Sequence, residues 1–488
     1  MSRIHINDYA TIRSEKLYWI SAALTLGIGI FLRLYGIDQW PIQGDEYFTI
    51  TKAYERANGW TNPLGYIMVV ASFELFGVSE WSARLPSAIL GIIMLPVYFL
   101  VALKIGGRRV ALIATIFLSI HSWHIYQSQF SRFYTGELLF ATLSIYFFCR
   151  AYDKGSWTAY VNCLVTLAVA ALFQKLAIAL FGCYAVFSLF SLWRKTYPNT
   201  QSRNIFRTTA ILLFSGAIFG VSAAANEIQN WYHSGQTWGA PPFGVLLQLV
   251  KTTNLVVVVA SLFGTLLLFQ RSQNMAIYAI CICGIPIVLM IIGASAMSLR
   301  PDYVFYVLPV VLMLAAYLCV KAGENASQPL LLIGCVSLLL VVPLALPTLS
   351  YFSSKLTYDI RAAVELVKSR LASKDRIVNF ENSFKYYFND DKRLERYKGN
   401  PFSDGIDWDT RLELYRNSEF RTWFVVPVRR APLAAGLKDW LYCNARLVRD
   451  YESVGFSYSV EGTQVFITDI HGSICSSADN TGIMEVQK

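Results

Sequence analysis

Two adjacent carboxylates, Asp45 and Glu46, stand in the run Trp40-Pro41-Ile42-Gln43-Gly44-Asp45-Glu46-Tyr47, shortly after a hydrophobic segment, Leu17 to Tyr35. Acids placed so either begin a solvated helix, where the helix dipole favours negative charge, or belong to a reaction centre. A third acid, Glu137, lies about one turn inside a later apolar run, where an unpaired carboxylate is costly. Cations recur at comparable places. Arg84 opens the second apolar run, Arg132 precedes the run holding Glu137, Lys175 separates two others, and Arg300 and Asp302 precede another. Carboxylates facing several cations suit displacement of a phosphate. One carboxylate takes the proton from an attacking hydroxyl or amine, and the cations stabilise charge on the leaving phosphate. Arg engages two phosphate oxygens through its planar fork, and Lys serves as a mobile point charge. Arg84, Arg132 and Lys175 fit equally well as snorkelling interface residues. The chain has no glycine-rich phosphate loop and no Asp-x-Asp metal motif, which favours a lipid-linked phosphate over a soluble nucleotide sugar as donor.

The elements that must carry these residues are membrane spans. Of 488 residues 55% are hydrophobic and 15% charged, and the mean hydropathy is +0.42, outside the balance of a soluble domain. Apolar runs of about 17 to 25 residues, enough to cross a hydrocarbon core, occur at about 17–35, 82–103, 110–125, 134–150, 158–173, 176–193, 208–225, 243–269, 275–296, 303–320 and 329–349. These predict eleven transmembrane helices. The first is too long for a cleaved signal peptide and is expected to stay as an anchor. Connections on the side of the amino terminus contain Lys104, Arg108, Arg109, Arg150, Lys154, Arg194, Lys195, Arg203, Arg207, Arg271 and Lys321. That distribution predicts a cytoplasmic amino terminus, and an odd number of spans places everything after Ser350 outside. Asn62 to Gly77 is apolar but short and contains Glu74, and counting it as a span would export the basic clusters. It reads as an interfacial helix started by Pro63, preceded by a second one from Glu46 to Asn58. The first external loop, Ile37 to Trp81, is then a structured lid with the acids at its start.

The chain divides into a transmembrane domain, 1–350, and a soluble domain, 351–488. After Ser350 there are 20 Lys and Arg against 19 Asp and Glu; the whole chain has 42 and 32, leaving 22 against 13 before it. The basic excess belongs to the membrane part and gives no reason to expect nucleic acid. Seven cysteines (Cys149, Cys163, Cys183, Cys281, Cys283, Cys319, Cys335) lie in apolar runs without metal-ligand spacing and read as packing residues. Cys443 and Cys475 are free to pair if the tail faces an oxidising compartment. In the tail, Ile360, Val364, Val367 and Leu371 have helical spacing, Ile377–Phe380 and Trp423–Val426 read as strands, and Ser457–Val460 with Gln464–Thr468 reads as a hairpin. This predicts a small α/β domain.

At its charged residues the sequence resembles the polyprenyl-phosphate-sugar-dependent glycosyltransferases of the GT-C class, which include protein O-mannosyltransferases and bacterial aminoarabinose transferases. The marks are Gly44-Asp45-Glu46 after the first span, Asn62-Pro63-Leu64-Gly65-Tyr66, Ala83-Arg84-Leu85-Pro86-Ser87 with Gly91, and Ser131-Arg132-Phe133-Tyr134 followed by Glu137. The family commonly has His-Pro-Pro at Asn62-Pro63-Leu64, and often Asp at Glu137. The resemblance implies Asp45 as catalytic base, with Glu46 orienting it or sharing its role and Glu137 as the second acidic position. Arg84, Arg132 and Lys175 are the candidates for the donor phosphate. Tyr47, Asn62 and Tyr134, in the same motifs, are assigned to substrate binding, as is Trp238, which either stacks on a sugar or marks the interface. His121, Trp123, His124 and Tyr126 resemble an aromatic belt, and Arg300-Pro301-Asp302-Tyr303 a helix start. The expected activity is inverting transfer of a hexose or pentose from a polyprenyl-phosphate donor to a glycan, lipid or protein acceptor at the outer face of a bacterial inner or plasma membrane. No organic cofactor or metal ligand is assigned, and a divalent cation near the acids stays open. The alternative is a transporter or flippase of lipid-linked sugars, which would carry charges near mid-membrane on broken helices, often in two related halves.

Overall fold

A computed structural model describes residues 3–55, 62–215, 241–295, 299–324, 327–355, 360–380, 383–388, 392–396, 408–416, 420–427, 437–451 and 463–468. The chain divides into two compact units: Met1–Ile37 with Lys52–Thr348, and Asp38–Thr51 with Leu349–Lys488.

The first unit is helical. Its elements are α1 (Arg3–Leu34), the end of α2 (Gly44–Tyr54), α3 (Pro63–Phe76), α4 (Glu80–Ile120), α5 (Ser122–Ser128), α6 (Tyr134–Lys154), α7 (Trp157–Phe173), α8 (Ala179–Arg194) and α9, described over 200–215. They continue with α10 (Pro242–Thr253), α11 (Leu255–Arg271), α12 (Gln273–Ala294), α13 (Leu308–Gly323) and α14 (Pro329–Lys355). Two 3-10 turns, Lys175–Ile178 and Pro301–Val307, join α7 to α8 and lead into α13. The helix α4 contains two of the predicted spans. Its backbone breaks at Gly107, where φ is 82°, a conformation that suits glycine. Leu95 and Ser119, equally far along the chain from Gly107, both press on the space above Gly29 of α1. The two arms therefore fold back on each other beside α1.

Six described helical segments are long and apolar enough to cross a membrane, seven if the bent pair α10–α11 is one span. The expectation was eleven; residues 216–225 of the predicted span 208–225 lie outside the described residues, and the other differences have physical sources. The folded-back α4 counts once, α7 is a shorter apolar helix of 17 residues, and α6 carries Glu137, Arg150, Asp153 and Lys154. Residues 243–269 do not form one straight span. The chain turns by 89° between α10 and α11 at Asn254, whose φ is 78°. Asn tolerates that conformation, and its Oδ1 accepts the Val256 amide hydrogen, capping α11. Leu24, Phe263, Leu331 and Leu339 are exposed on the helix surfaces, as lipid-facing side chains would be. Inside, Phe148 stacks on Tyr184 at 4.3 Å and on Tyr278 at 5.7 Å, joining α6, α8 and α12.

The second unit, in its part after Leu349, is built on a five-stranded sheet. Its strands are β1 (Arg376–Asn379), β2 (Leu394–Arg396), β3 (Thr422–Pro427), β4 (Arg446–Tyr451) and β5 (Thr463–Ile467), in the order β2-β1-β3-β5-β4. The first three strands in that order are parallel and the last two pair antiparallel. Val378, Phe424, Val426 and Phe466 pack with Leu412 and Tyr415 of α17 (Trp408–Arg416) and Leu441 of α18 (Leu437–Asn444). The helix α15 (Ile360–Arg370) buries Ile360, Val364 and Val367, as their spacing predicts, and α16 (Ser383–Phe388) follows β1. Of the predicted hairpin, the arm Gln464–Thr468 is found as β5, which pairs with β3 and with β4; the arm Ser457–Val460 lies outside the described residues. Cys443 is disulfide-bonded, while Cys475 lies outside the described residues.

Candidate active site

The first-loop acids belong to the second unit. The chain leading to them is fixed at several points: Trp40 stacks on Tyr351 at 5.4 Å, Arg361 donates to the Asp38 and Gln39 carbonyls, and the Ile42 amide donates to the Tyr387 hydroxyl at 2.7 Å. This delivers Gly44 to the start of α2, two residues earlier than predicted, so both acids occupy the first helical turn. They differ in surroundings. Glu46 is fully buried and accepts the Gln43 amide hydrogen at 3.1 Å, the bond by which the third residue of a helix caps its start. Asp45 is half-buried, and its carbonyl accepts the Thr49 hydroxyl hydrogen at 3.2 Å. Tyr47 is also half-buried and meets Phe48 edge-on.

In the helical unit, the residues between α5 and α6 are held by side-chain bonds to backbone. Gln129 Nε2 faces the Leu32, Arg33 and Tyr35 carbonyls. Ser131 donates to the Ala83 carbonyl, and Ser87 to that of Arg132, both at 2.8 Å. These bonds set the backbones of Arg84 and Arg132 side by side. Arg84 is buried and donates to the Ile37 carbonyl at 2.9 Å. Arg132 is half-buried over the Phe133 ring, and Phe133 in turn meets Tyr66 of α3 edge-on at 4.9 Å. A Cβ on Gly65 would collide with Phe133, which explains the glycine in Asn62-Pro63-Leu64-Gly65-Tyr66. Asn62 is buried at the start of α3 and makes no side-chain cap.

Glu137, one turn into α6, is fully buried, and among the described residues neither of its carboxylate oxygens has a hydrogen-bond partner. Asp302 is close enough for its charge to be felt there. Asp302 is richly partnered: Oδ1 accepts from Trp123 Nε1 at 3.0 Å and Gln127 Nε2 at 2.6 Å, and Oδ2 pairs with Arg300 Nη2 at 3.0 Å. The Tyr134 ring is buried within electrostatic reach of Asp302, Arg132, Tyr303 and Arg300. The turn Pro301–Val307 packs against both α6 and the turn that begins at Lys175. Lys175 itself is exposed. The helical unit therefore gathers Arg132, Tyr134, Glu137, Arg300 and Asp302, with the Lys175 turn beside them. Trp238 lies outside the described residues. Among the described residues, no three His, Cys, Asp or Glu side chains form a group able to hold a metal ion.

Two sequence readings are corrected. His121, Trp123 and His124 are not an exposed aromatic belt, since all three are buried. Trp123 anchors Asp302, and His124 Nδ1 lies 2.7 Å from Arg33 Nη2. Arg300-Pro301-Asp302-Tyr303 starts a turn but also supplies the acid at the centre of this network. Sequence reasoning passed over Arg33, which is fully buried and donates to the Gly29, Leu118 and Ser119 carbonyls. It thereby satisfies carbonyls at the end of α4. A lone Arg inside the first apolar run was the available signal.

The family model for dolichyl-phosphate-mannose-protein mannosyltransferase matches residues 61–219. No curated protein matches the chain. Among solved structures, ArnT from Cupriavidus metallidurans in the apo state superposes with a TM-score of 0.57 at 15% identity, covering 93% of this chain and 98% of that one. The same protein bound to undecaprenyl phosphate gives 0.57 at 14% identity over 94% and 98%. The archaeal oligosaccharyltransferase AglB from Archaeoglobus fulgidus, in complex with an inhibitory peptide and a dolichol-phosphate, gives 0.57 at 10% identity over 92% and 75%. The chain thus resembles the mannosyltransferase family over residues 61–219, and along nearly its whole length it has the fold of ArnT and AglB, the GT-C fold implied by its sequence motifs.

Proposed function

We propose that this chain is a membrane glycosyltransferase that moves a sugar from a polyprenyl-phosphate donor to an acceptor hydroxyl or amine at the extracytoplasmic face, with inversion. The observation that carries the proposal is the whole-length fold shared with two proteins whose solved structures hold a polyprenyl phosphate, undecaprenyl phosphate in one and dolichol-phosphate in the other.

In this reading Asp45 is the base. As the acceptor oxygen or nitrogen bonds to the sugar's anomeric carbon, Asp45 takes its proton, the carbon–oxygen bond to phosphate breaks, and the electron pair leaves on the phosphate. Arg84, Arg132 and Lys175 supply positive charge for that phosphate. A single displacement opposite the phosphate inverts the anomeric centre. Glu46 holds the helix that presents Asp45, and Tyr47, Asn62, Tyr134 and Trp238 contact substrate. Glu137 faces the bound sugar or acceptor, whose hydroxyl hydrogens would satisfy its buried oxygens. No organic cofactor is called for by these groups, and a divalent ion beside the acids is a question for chelation. The disulfide at Cys443 supports an extracytoplasmic second domain, because disulfides persist in oxidising compartments.

The test is transfer in reconstituted membranes. Wild type should label acceptor glycans from a polyprenyl-phosphate sugar and fail with a nucleotide sugar when lipid carrier is absent. Asp45→Asn should lower the rate by about 10²- to 10⁴-fold, the usual contribution of a general base. Normal transfer by a folded Asp45→Asn protein would remove Asp45 from the chemistry.

A further inference from the structure

The strap 38–43, which leads to Asp45, lies in no helix or strand, yet Ile42 is fully buried and Trp40 nearly so. Buried backbone outside regular structure has to find its hydrogen-bond partners elsewhere. Within the second unit, the part after Leu349 supplies them. Arg361, at the second position of α15, donates from Nη1 to the Asp38 carbonyl at 3.0 Å and from Nη2 to the Gln39 carbonyl at 2.6 Å. The Tyr387 hydroxyl, on α16, accepts the Ile42 amide hydrogen at 2.7 Å. Between these bonds, Trp40 stacks on Tyr351 near the end of α14.

The partners are themselves held. The helix α15 buries Ile360, Val364 and Val367 and packs on β5, and α16 buries Phe384 and Phe388. Lys368 of α15 donates to the Tyr387 carbonyl and lies 5.8 Å from the centre of the Phe388 ring, so the two helices form one joined platform. At the far end of the strap, Gln43 is drawn into α2: its amide donates to Glu46 and its carbonyl accepts from the Tyr47 amide. The Tyr387 bond therefore acts one residue before that cap and three before Asp45.

We propose that Arg361 and Tyr387 are positioning residues for the Asp45 carboxylate, through which the soluble part of the chain governs the turnover of the site. The role depends on Asp45 being the base of the proposed transfer. A base works only within hydrogen-bond reach of the proton it takes, and a misplacement of about 1 Å can cost about 10²-fold in rate. Asp45 stands on the first turn of α2, whose amides have no intrahelical acceptors, so its place follows that of the strap. The planar fork of Arg361 fits two successive carbonyls, which the single ammonium of a lysine cannot match. Neither side chain is among the groups assigned to donor or acceptor, so loosening the strap should lower kcat and leave KM in place.

The test measures transfer by the full-length protein in reconstituted membranes, with the polyprenyl-phosphate sugar varied, for wild type, Tyr387→Phe, Arg361→Lys, and each substitution combined with Asp45→Asn. Tyr387→Phe keeps the ring and removes the acceptor; Arg361→Lys keeps the charge and removes the fork. Each should lower kcat at least about tenfold with donor KM within about twofold of wild type, the pattern of an interaction felt in the transition state alone. Melting followed by Trp423 fluorescence should not change. In the Asp45→Asn background neither substitution should lower the residual rate further, because a residue acting through Asp45 has nothing left to position. Hydrogen exchange in peptides covering 38–47 should be at least about tenfold faster in Tyr387→Phe, as local opening becomes easier. Wild-type kcat in both variants overturns the proposal, and so does a loss of the same factor on top of Asp45→Asn or a raised KM at unchanged kcat. Unchanged exchange overturns the anchoring by Tyr387 whatever the activity. A wild-type protein inactive with the lipid donor, or a folded Asp45→Asn protein of normal activity, overturns the transferase reading instead, so the two failures are read separately.

Discussion

Glu46 is fully buried and caps the start of α2, whereas Asp45, one position earlier, keeps part of its surface open. The pair therefore separates into a fastening residue and a residue able to meet a substrate. Glu46→Ala should cost about 1 kcal/mol of stability, as loss of a cap does, with residual activity following the folded fraction; the Asp45→Asn loss should instead appear in a protein of normal stability. Glu137 poses the sharper contrast. Its oxygens lack donors among the described residues, and a buried unsatisfied polar group is a cost that an apolar side chain of similar size removes. Glu137→Leu should melt at or above the wild-type temperature in a fluorescence-monitored thermal scan, yet transfer sugar at least about tenfold more slowly. A destabilised but active variant would mean that the carboxylate serves packing alone. The acids were legible in the sequence because charge inside apolar runs is rare. The partners of Asp302 were not, since Trp123 and Gln127 come from a helix far from it in sequence, and an indole near a span end reads as interface whether it faces lipid or a carboxylate.

At the scale of elements, the short apolar helix α3 was visible down to its first residue, because Pro63 marks a start and Gly77, at φ 74°, an end. What the pattern concealed was why Gly65 is there. With any side chain at 65, α3 must move off Phe133, and the segment carrying Arg132 and Tyr134 moves with it. Gly65→Val should destabilise by about 1 to 3 kcal/mol through overpacking and should raise KM for the lipid donor in a steady-state assay; a variant with wild-type melting and kinetics would show that the contact is slack. The second unit offers a pH-dependent counterpart. Burial works to raise the Asp375 carboxyl, but the Ala372 amide, Arg421 and Trp423 outweigh it and hold it below its ordinary value. A depressed carboxylate contributes stability above its unfolded pKa of about 3.9 and loses it as pH falls through the lower folded value. Asp375→Asn should therefore unfold more readily than wild type at pH 7, followed by Trp423 fluorescence, and the difference should shrink below about pH 4.

For the whole molecule, hydropathy located helices at the predicted spans but did not settle their number, because length and apolarity measure a segment and not its path. The folded-back α4 depends on one glycine with positive φ, and the bend between α10 and α11 on one asparagine, and neither residue interrupts an apolar run enough to be read as a break. Orientation depends on a different signal, the Lys and Arg of alternate connections, which is independent of how many bends the spans contain. It predicts that Lys104 and Arg271 face the cytoplasm and that the second domain, with its disulfide-bonded Cys443, lies outside. Single cysteines at Lys104→Cys, Arg271→Cys and Lys374→Cys, in a background with Cys335→Ser because Cys335 is the exposed free cysteine among the described residues, report this with a membrane-impermeant maleimide. Lys374→Cys should label in intact spheroplasts, while the other two should label only after permeabilisation. Labelling of Lys104→Cys or Arg271→Cys in intact spheroplasts would reverse the orientation, and would move the first-loop acids to the face where a lipid-linked donor at the outer surface could not reach them.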